Sequence, residues 1–255
     1  SPFIEYTKNV VYLKDGEIVK IHKDKMLEII SLTNSTKTPY IQELELTLES
    51  IEREGFDSFM LKEIFEQPKS VIDTLRGRIS PKTKKITLGG ILDYEQKIMN
   101  ADRIIIVACG TSWHAGLIGE YLFEDLARIS VEVEYASEFR YRNPIINEND
   151  VVLAISQSGE TADSLAALEL AKEKGATLLG ICNVVGSSIP RLTHAGSYTH
   201  AGPEIGVAST KAFTTQIIVL TLMAVKMAHK KGSITISKYH EIINELELIP
   251  EKIEK

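Results

Sequence analysis

The sequence is poor in cysteine and has no excess of basic charge. Its 255 residues include two cysteines, Cys109 and Cys182, too few and too far apart to form a disulfide framework or a zinc-ligand cluster. The formal net charge is −6, so the chain lacks the basic surface that a nucleic-acid backbone would require. We therefore expect a cytoplasmic protein without a nucleic-acid partner.

Long apolar runs and nucleotide-binding motifs are also missing. No uninterrupted apolar run approaches the length of about 20 residues needed to span a bilayer, so we expect no membrane partner. Neither G-x-x-x-x-G-K-[ST] nor G-x-G-x-x-G occurs, which disfavours nucleoside triphosphates and dinucleotides as ligands. Hydrophobic residues still make up 44% of the chain, enough to bury a sizeable core.

The first 54 residues favour β-strands. Two β-rich runs flank residues 14–17, "KDGE", and predict a hairpin. Further strand-like runs follow at residues 26–32 and 40–50. These strands are too few to cover both faces of a sheet, so we expect residues 1–54 to be the C-terminal remnant of a longer domain.

Residues 55–98 have a helical pattern and predict a linker with entry helices. Pro68 interrupts the first helical stretch. The segment at residues 80–90, "SPKTKKITLGG", predicts a loop, and residues 91–103 predict a further helix.

From residue 99 to 232, apolar strands alternate with helices. The predicted strands are "RIIIVACG", "VEVEY", "VVLAIS", "TLLGIC" and "GSYTHAG", and the predicted helices run from Trp113 to about Ala127, near Phe139, from Thr161 to Lys174 and from about Ser209 to Lys230. Continuous apolar strands separated by helices are typical of a parallel sheet covered on both faces. The pattern predicts a doubly wound α/β domain, ended by Gly232 and followed by one amphipathic helix over residues 233–255.

Three polar turns follow strands of this sheet and should lie along its ligand-binding edge. They are residues 109–112, "CGTS"; residues 156–161, "SQSGET"; and residues 203–214, "PEIGVASTKAFT". Each precedes a helix N-terminus, where unpaired amides and the helix dipole favour an anion. Helix capping is the alternative role for the hydroxyls, but a cap needs one hydroxyl and "SQSGET" supplies three. Turns rich in hydroxyls, without arginine or metal ligands, favour a single phosphate monoester.

Several segments together resemble one family. They are "CGTS", "ASEFRYR", "SQSGETADSLAAL", "ICNVVGSSIPR", "EIGVASTKAFTTQ" and the linker-like "FMLKEIFEQP". These segments are similar to the first sugar isomerase (SIS) domain of the isomerising glutamine–fructose-6-phosphate aminotransferases. The resemblance covers essentially the whole chain and implies a flavodoxin-like sheet, with residues 1–54 as the end of a glutaminase domain, 55–98 as linker, 99–232 as the first SIS domain and 233–255 as a helix leading to a second one.

The resemblance also implies a ligand and its contacts. The ligand would be a hexose 6-phosphate, either fructose 6-phosphate or glucosamine 6-phosphate, bound without metal or organic cofactor. The implied phosphate contacts are Ser112, Ser156, Gln157, Ser158 and Thr161, with Thr111 beside the sugar and the backbone around Val207 and Ala208 closing the site. The family's glutaminase nucleophile and the acid–base and Schiff-base groups of its second SIS domain have no counterpart here, so we expect binding without turnover and assign no catalytic residue.

Other reactive side chains have structural interpretations that we favour. Lys211 is expected to be solvated or packed against a helix rather than catalytic, and Glu204 to orient a neighbouring group or form an ion pair. Trp113 and His114 could approach the ligand or pack against loops. The histidines at 194 and 200 show no metal-ligand spacing with Cys182, and Cys109 lacks a histidine placed to activate it.

Two alternative functions and an oligomeric state are also considered. One alternative is a stand-alone SIS sensor of amino-sugar phosphates, and the other is a nucleotide-binding protein of flavodoxin type. The long helix is apolar over most of its circumference and needs cover on several sides. From this helix and from the family resemblance we expect a homodimer or higher oligomer.

Overall fold

The computed structural model describes residues 53–255 throughout and, within the first 52 residues, positions 7, 9–13, 16–23, 27–31, 36–37 and 41–43. The chain divides into two compact units, Ser1–Glu54 and Gly55–Lys255.

The described parts of the first unit contain short strands, as predicted. They are β1 (Asn9–Val10), β2 (Glu17–Lys20), β3 (Glu28–Ser31), β4 (Thr36–Lys37) and β5 (Gln42–Glu43). The predicted hairpin is wrong in its pairing, because β1 pairs with β5 and β2 pairs with β3, both antiparallel. Lys14 and Asp15, at the predicted turn, lie outside the described residues, as does most of the run at 40–50.

The second unit contains a five-stranded sheet flanked by helices. Its strands are β6 (Ile104–Ala108), β7 (Val131–Tyr135), β8 (Val151–Ser156), β9 (Thr177–Cys182) and β10 (Ala195–Tyr198). Its α-helices are α1 (Phe59–Phe65), α2 (Gln67–Leu75), α3 (Glu95–Met99), α4 (Gly110–Leu122), α5 (Ala136–Tyr141), α6 (Ala162–Glu173), α7 (Ser188–Leu192), α8 (Lys211–Lys231) and α9 (Ile236–Glu254).

The sheet is parallel throughout, and its strand order is β10-β9-β8-β6-β7. Every residue of β6, β8 and β9 is buried, and a separate apolar cluster covers each face of the sheet. The predicted flavodoxin-like, doubly wound α/β fold is therefore confirmed. In this order the chain leaves β6 toward β7 on one side and returns to β8 on the other, and in doubly wound sheets such a reversal is where a ligand-binding crevice is expected, here at the carboxyl ends of β6 and β8.

Some helices differ from the predictions in their boundaries or in their type. Helix α4 starts at Gly110 rather than Trp113 and continues as a π-helical turn, Phe123–Ala127. The predicted helix over 91–103 is a 3-10 helix, Gly89–Tyr94, followed by the short α3. Pro68 lies in the first turn of α2, where its missing amide costs no hydrogen bond. Gly232 ends α8 with φ 68°, as predicted.

Helix α8 is buried within its own chain. Among the described residues it is the one helix long and apolar enough to cross a membrane by length and composition, yet 72% of its apolar window is buried. It packs against α2, α4 and α9. The apolar surface of α8 is thus largely covered without a second copy, which removes this helix as a reason to expect an oligomer.

Candidate functional site

The first two polar turns are neighbours at the carboxyl edge of the sheet. Strands β6 and β8 pair directly, with Ala108 opposite Ile155. The turn at 109–112 therefore begins beside the turn at 156–161, at the point where the strand order reverses. The structure brings together the turns that were predicted from sequence to hold an anion.

Two hydroxyls of the turn after β8 stabilise its own backbone. Ser156 Oγ accepts a hydrogen bond from the Gly159 amide at 2.9 Å and lies 3.1 Å from Thr161 Oγ1. Ser158 Oγ accepts from the Glu160 amide at 3.2 Å. Ser156 is buried, while Ser158 and Thr161 are half-buried. The turn is thus fixed from inside and keeps two hydroxyls partly accessible.

Gly159 allows this turn to pack tightly against the following loop. Its φ is 67°, a left-handed conformation that favours glycine. A Cβ at this position would lie 1.9 Å from Ser187 Oγ. The Gly159 carbonyl accepts from the Ile189 amide at 2.9 Å, and the Gln157 carbonyl accepts from the Asn183 amide at 3.2 Å. The loop after β9 therefore supports the turn after β8.

Neither N-cap residue of these two turns caps its helix with its side chain. Thr161 and Cys109 are the N-cap residues of α6 and α4, and neither side chain accepts a hydrogen bond from its helix. Elsewhere in the described structure, Ser58 and Thr235 do accept such bonds. The Thr161 hydroxyl is therefore not engaged as a helix cap in this structure.

The turn after β6 is connected to helix α8 by a buried side-chain pair. Gln216 Nε2 donates to Ser112 Oγ at 3.0 Å, and both residues are buried. A serine hydroxyl that accepts this bond keeps its own proton free to donate to an anion. Gly110, with φ 57°, is exposed, and Thr111 is half-buried. Gln216 was not among the predicted site residues, although it ends the segment "EIGVASTKAFTTQ" that carried the resemblance.

The third turn differs from the other two, because a side chain already occupies its helix N-terminus. Glu204 Oε1 accepts from the amides of Thr210 at 2.8 Å and Ala212 at 3.2 Å. The expectation that all three helix N-termini are available to an anion is therefore wrong for α8. Glu204 instead orients the start of this helix, in line with the role predicted for it. Val207 and Ala208 are exposed, and within the described structure no hydrogen bond joins them to the other turns.

Lys211 is buried and paired, so it is neither solvated nor a free amine. Its Nζ forms an ion pair with Glu66, the N-cap residue of α2. The interpretation of Lys211 as a residue packed within the fold agrees with this geometry.

Two of the aromatic and histidine candidates have structural partners, and Cys182 is buried. Trp113 stacks on Tyr135 with ring centroids 4.2 Å apart, and His194 Nδ1 accepts from the Leu178 amide at 2.9 Å. Burial raises the pKa of the Cys182 thiol to about 12, which makes it a poor nucleophile at neutral pH. Among the described residues, no group of three His, Cys, Asp or Glu side chains could hold a metal ion.

Two depressions in the described surface lie away from these turns. One is at the opposite edge of the sheet, lined by residues that include Lys97, Asn100 and Glu148, and the other runs beside β10. Neither depression combines hydroxyl side chains with the N-terminus of a long helix. The candidate site is the crevice expected between the turns after β6 and β8, where the strand order reverses.

The fold and this crevice define the class to which the chain belongs. A parallel sheet in flavodoxin order, with hydroxyl-rich turns at its switch point, is an arrangement suited to small anionic ligands. The sequence profile of the SIS domain matches residues 97–226. The chain belongs to the SIS domain family.

Individual relatives narrow the comparison further. The chain is 58% identical over its full length to a glutamine–fructose-6-phosphate aminotransferase (isomerising) of Bacteroides thetaiotaomicron, covering 42% of that protein. It is 57% identical to the enzyme of the same name from Chlorobaculum tepidum, over 99% of this chain and 41% of the relative. The predicted resemblance is confirmed, and the chain spans about two fifths of the length of these curated relatives.

A solved structure agrees with the sequence comparison. The C-terminal domain of the glucosamine–fructose-6-phosphate aminotransferase of Francisella tularensis superimposes with a TM-score of 0.72 at 38% identity. The match covers 78% of this chain and 55% of that one.

Proposed function

We propose that this chain is the sugar-phosphate-binding SIS half of an isomerising glutamine–fructose-6-phosphate aminotransferase. The whole enzyme would transfer the amide nitrogen of glutamine to fructose 6-phosphate and isomerise the product to glucosamine 6-phosphate. Similarity to such enzymes over the full chain supports this, and it disfavours a stand-alone sensor because residues 1–98 are included. We retain the domain boundaries predicted from sequence as part of the proposal.

The main support for the proposal is the pair of hydroxyl-rich turns after β6 and β8, where the strand order reverses. Ser156 and Ser158 accept hydrogen bonds from backbone amides of their own turn. Thr161 is the N-cap residue of α6, but its side chain accepts no hydrogen bond from that helix. A phosphate in the crevice would receive hydroxyl protons together with amides from the start of α6. On the other side, Gln216 leaves the Ser112 proton free for the same group.

The remaining proposed contacts place the sugar across the strand ends. Thr111 would lie beside the sugar, and Gln157 would contact the phosphate from the second turn. The backbone around Val207 and Ala208 would close the site from the third turn. Binding energy gained at the phosphate would then position carbons 1 and 2 for chemistry carried out by other parts of the enzyme.

Three further properties belong to the proposal. The parent enzyme would be a glutamine amidotransferase that works in the cytoplasm without an organic cofactor or metal. It would act as a homodimer or higher oligomer. The groups for glutamine hydrolysis, ring opening and proton transfer would lie outside this chain, so the chain alone would bind substrate without turning it over.

The proposal predicts that glucose 6-phosphate stabilises the chain and glucose does not. At ten times Kd, a ligand adds about 1.4 kcal/mol to the free energy of unfolding, or a few degrees in Tm for a chain of this size. A thermal-shift titration with both sugars, and with fructose in both forms, measures this. Equal shifts for phosphorylated and unphosphorylated sugars would contradict the proposal, because the phosphate is the group these turns are proposed to hold.

A further inference from the structure

A buried glutamate of helix α1 holds the backbone of the third turn. Glu63 is 2% exposed. Its Oε1 accepts from the Ile205 amide at 2.6 Å and from the Gly206 amide at 3.0 Å, and its Oε2 lies 3.2 Å from the same Gly206 nitrogen. These partners are 142 and 143 positions away in sequence. A carboxylate that receives two backbone amides forms strong, directional hydrogen bonds.

The absence of a side chain at position 206 makes this contact possible. A Cβ on Gly206 would lie 2.5 Å from Glu63 Oε2 and 3.5 Å from the Cα of Met60. The turn therefore approaches α1 with its backbone alone.

The apolar side chains at positions 205 and 207 contribute little to holding the turn. Ile205 is exposed and Val207 is fully exposed, so neither anchors the turn in an apolar core. The backbone is instead fixed at two places by carboxylates: Glu63 holds residues 205 and 206, and Glu204 holds the amides at the start of α8. The exposed segment between them contains Val207 and Ala208.

Two residues at the junction of α1 and α2 make further contacts with the start of α8. Glu66 forms an ion pair with Lys211, and Gln67 Oε1 accepts from Thr214 Oγ1 at 2.6 Å. Glu63 lies in α1, Glu66 joins the two helices, and Gln67 is the first residue of α2. The linker helices and the third turn therefore form one connected unit.

We infer that Glu63 is a positioning residue for the phosphosugar site: through the amides of Ile205 and Gly206 it fixes the segment at Val207 and Ala208 in place to close over the ligand. This rests on the proposed function, in which that backbone completes the site. The linker would accordingly contribute to substrate affinity, in addition to joining domains.

The test measures ligand affinity and local backbone protection in the same variants. Glu63→Ala should raise Kd for glucose 6-phosphate about tenfold. Glu63→Gln, which keeps an acceptor oxygen without the charge, should raise it about threefold. The signal is the fluorescence of Trp113, the one tryptophan in the sequence, which lies beside the turn after β6. Hydrogen exchange should accelerate at the Ile205 and Gly206 amides in both variants, with the amides of β6 and β8 unchanged.

Glu95→Gln is the matched control, because Glu95 is an equally buried glutamate that pairs with Lys226 and Lys230 away from the three turns. It should lower stability and leave Kd and exchange at 205–206 unchanged. Unaltered Kd in both Glu63 variants, with binding by the unmodified chain, would overturn the inference and leave the proposed function standing. No binding by the unmodified chain would overturn both, and accelerated exchange would then show only that Glu63 holds the turn.

Discussion

Replacing Gly159 with alanine is expected to remove sugar-phosphate binding and to lower the free energy of unfolding by about 3 kcal/mol. The new Cβ would lie 1.9 Å from Ser187 Oγ and 2.7 Å from Ser187 Cβ, and alanine would have to adopt a φ of 67°. Relief of the clash moves the turn away from the loop after β9 and so displaces Ser158 and Thr161. For a chain of this size, the loss corresponds to roughly 6 to 12 °C in Tm.

Gly77→Ala provides the control for the backbone contribution. Gly77 has φ 72°, close to that of Gly159, but a Cβ there would meet no atom within 4 Å. Its substitution should cost about 1 kcal/mol and leave binding intact. Scanning calorimetry of both variants, with and without glucose 6-phosphate, separates strain from the clash. If Gly159→Ala had the same Tm as Gly77→Ala and still bound glucose 6-phosphate, the packing described for this turn would be contradicted.

The second prediction is that the chain alone has no aminotransferase activity. The chain alone should form no glucosamine 6-phosphate from fructose 6-phosphate with either glutamine or ammonium. Within the described structure, Lys211 is engaged with Glu66, Glu204 with two helix amides, and the Cys182 thiol has a pKa of about 12. A site that binds substrate and transition state equally does not accelerate the reaction once it is filled.

An end-point assay with concentrated chain and ammonium tests this directly. The full-length aminotransferase from Bacteroides thetaiotaomicron serves as the positive control. Product formed at a rate within about a hundredfold of the control's ammonia-dependent rate would show that a residue of this chain performs chemistry that we place elsewhere.

The sheet could be predicted from sequence because its signal is local. The apolar runs of β6, β8 and β9 are buried on both faces, and that burial requires helices on both sides. The pairing of β1 with β5 could not be predicted, because a turn signal at 14–17 identifies a bend but not the partner of each strand. The burial of α8 by helices of its own chain could not be predicted either, since an apolar helix surface does not reveal whether the surface that covers it belongs to the same chain.

The candidate site could be predicted in part for a similar reason. The hydroxyl-rich turns are contiguous in sequence, and parallel strands bring their ends to one edge. Glu63 gave no signal, because its partners are backbone amides 142 and 143 positions away. Gln216 likewise contacts Ser112 across 104 positions. Such contacts depend on tertiary packing, which cannot be inferred from residue type and local spacing alone.

Isothermal titration of glucose 6-phosphate into three forms of the chain tests the central claim, which is that the turn after β8 binds the phosphate. Ser158→Ala should weaken binding by about 1.5 kcal/mol, the lower end of the range for a hydrogen bond to a charged group. Ser130→Ala is the control, since Ser130 is exposed and precedes β7 at the opposite edge of the sheet. We predict that the unmodified chain and Ser130→Ala bind alike and that Ser158→Ala binds roughly tenfold more weakly. The same affinity in all three forms would contradict the account.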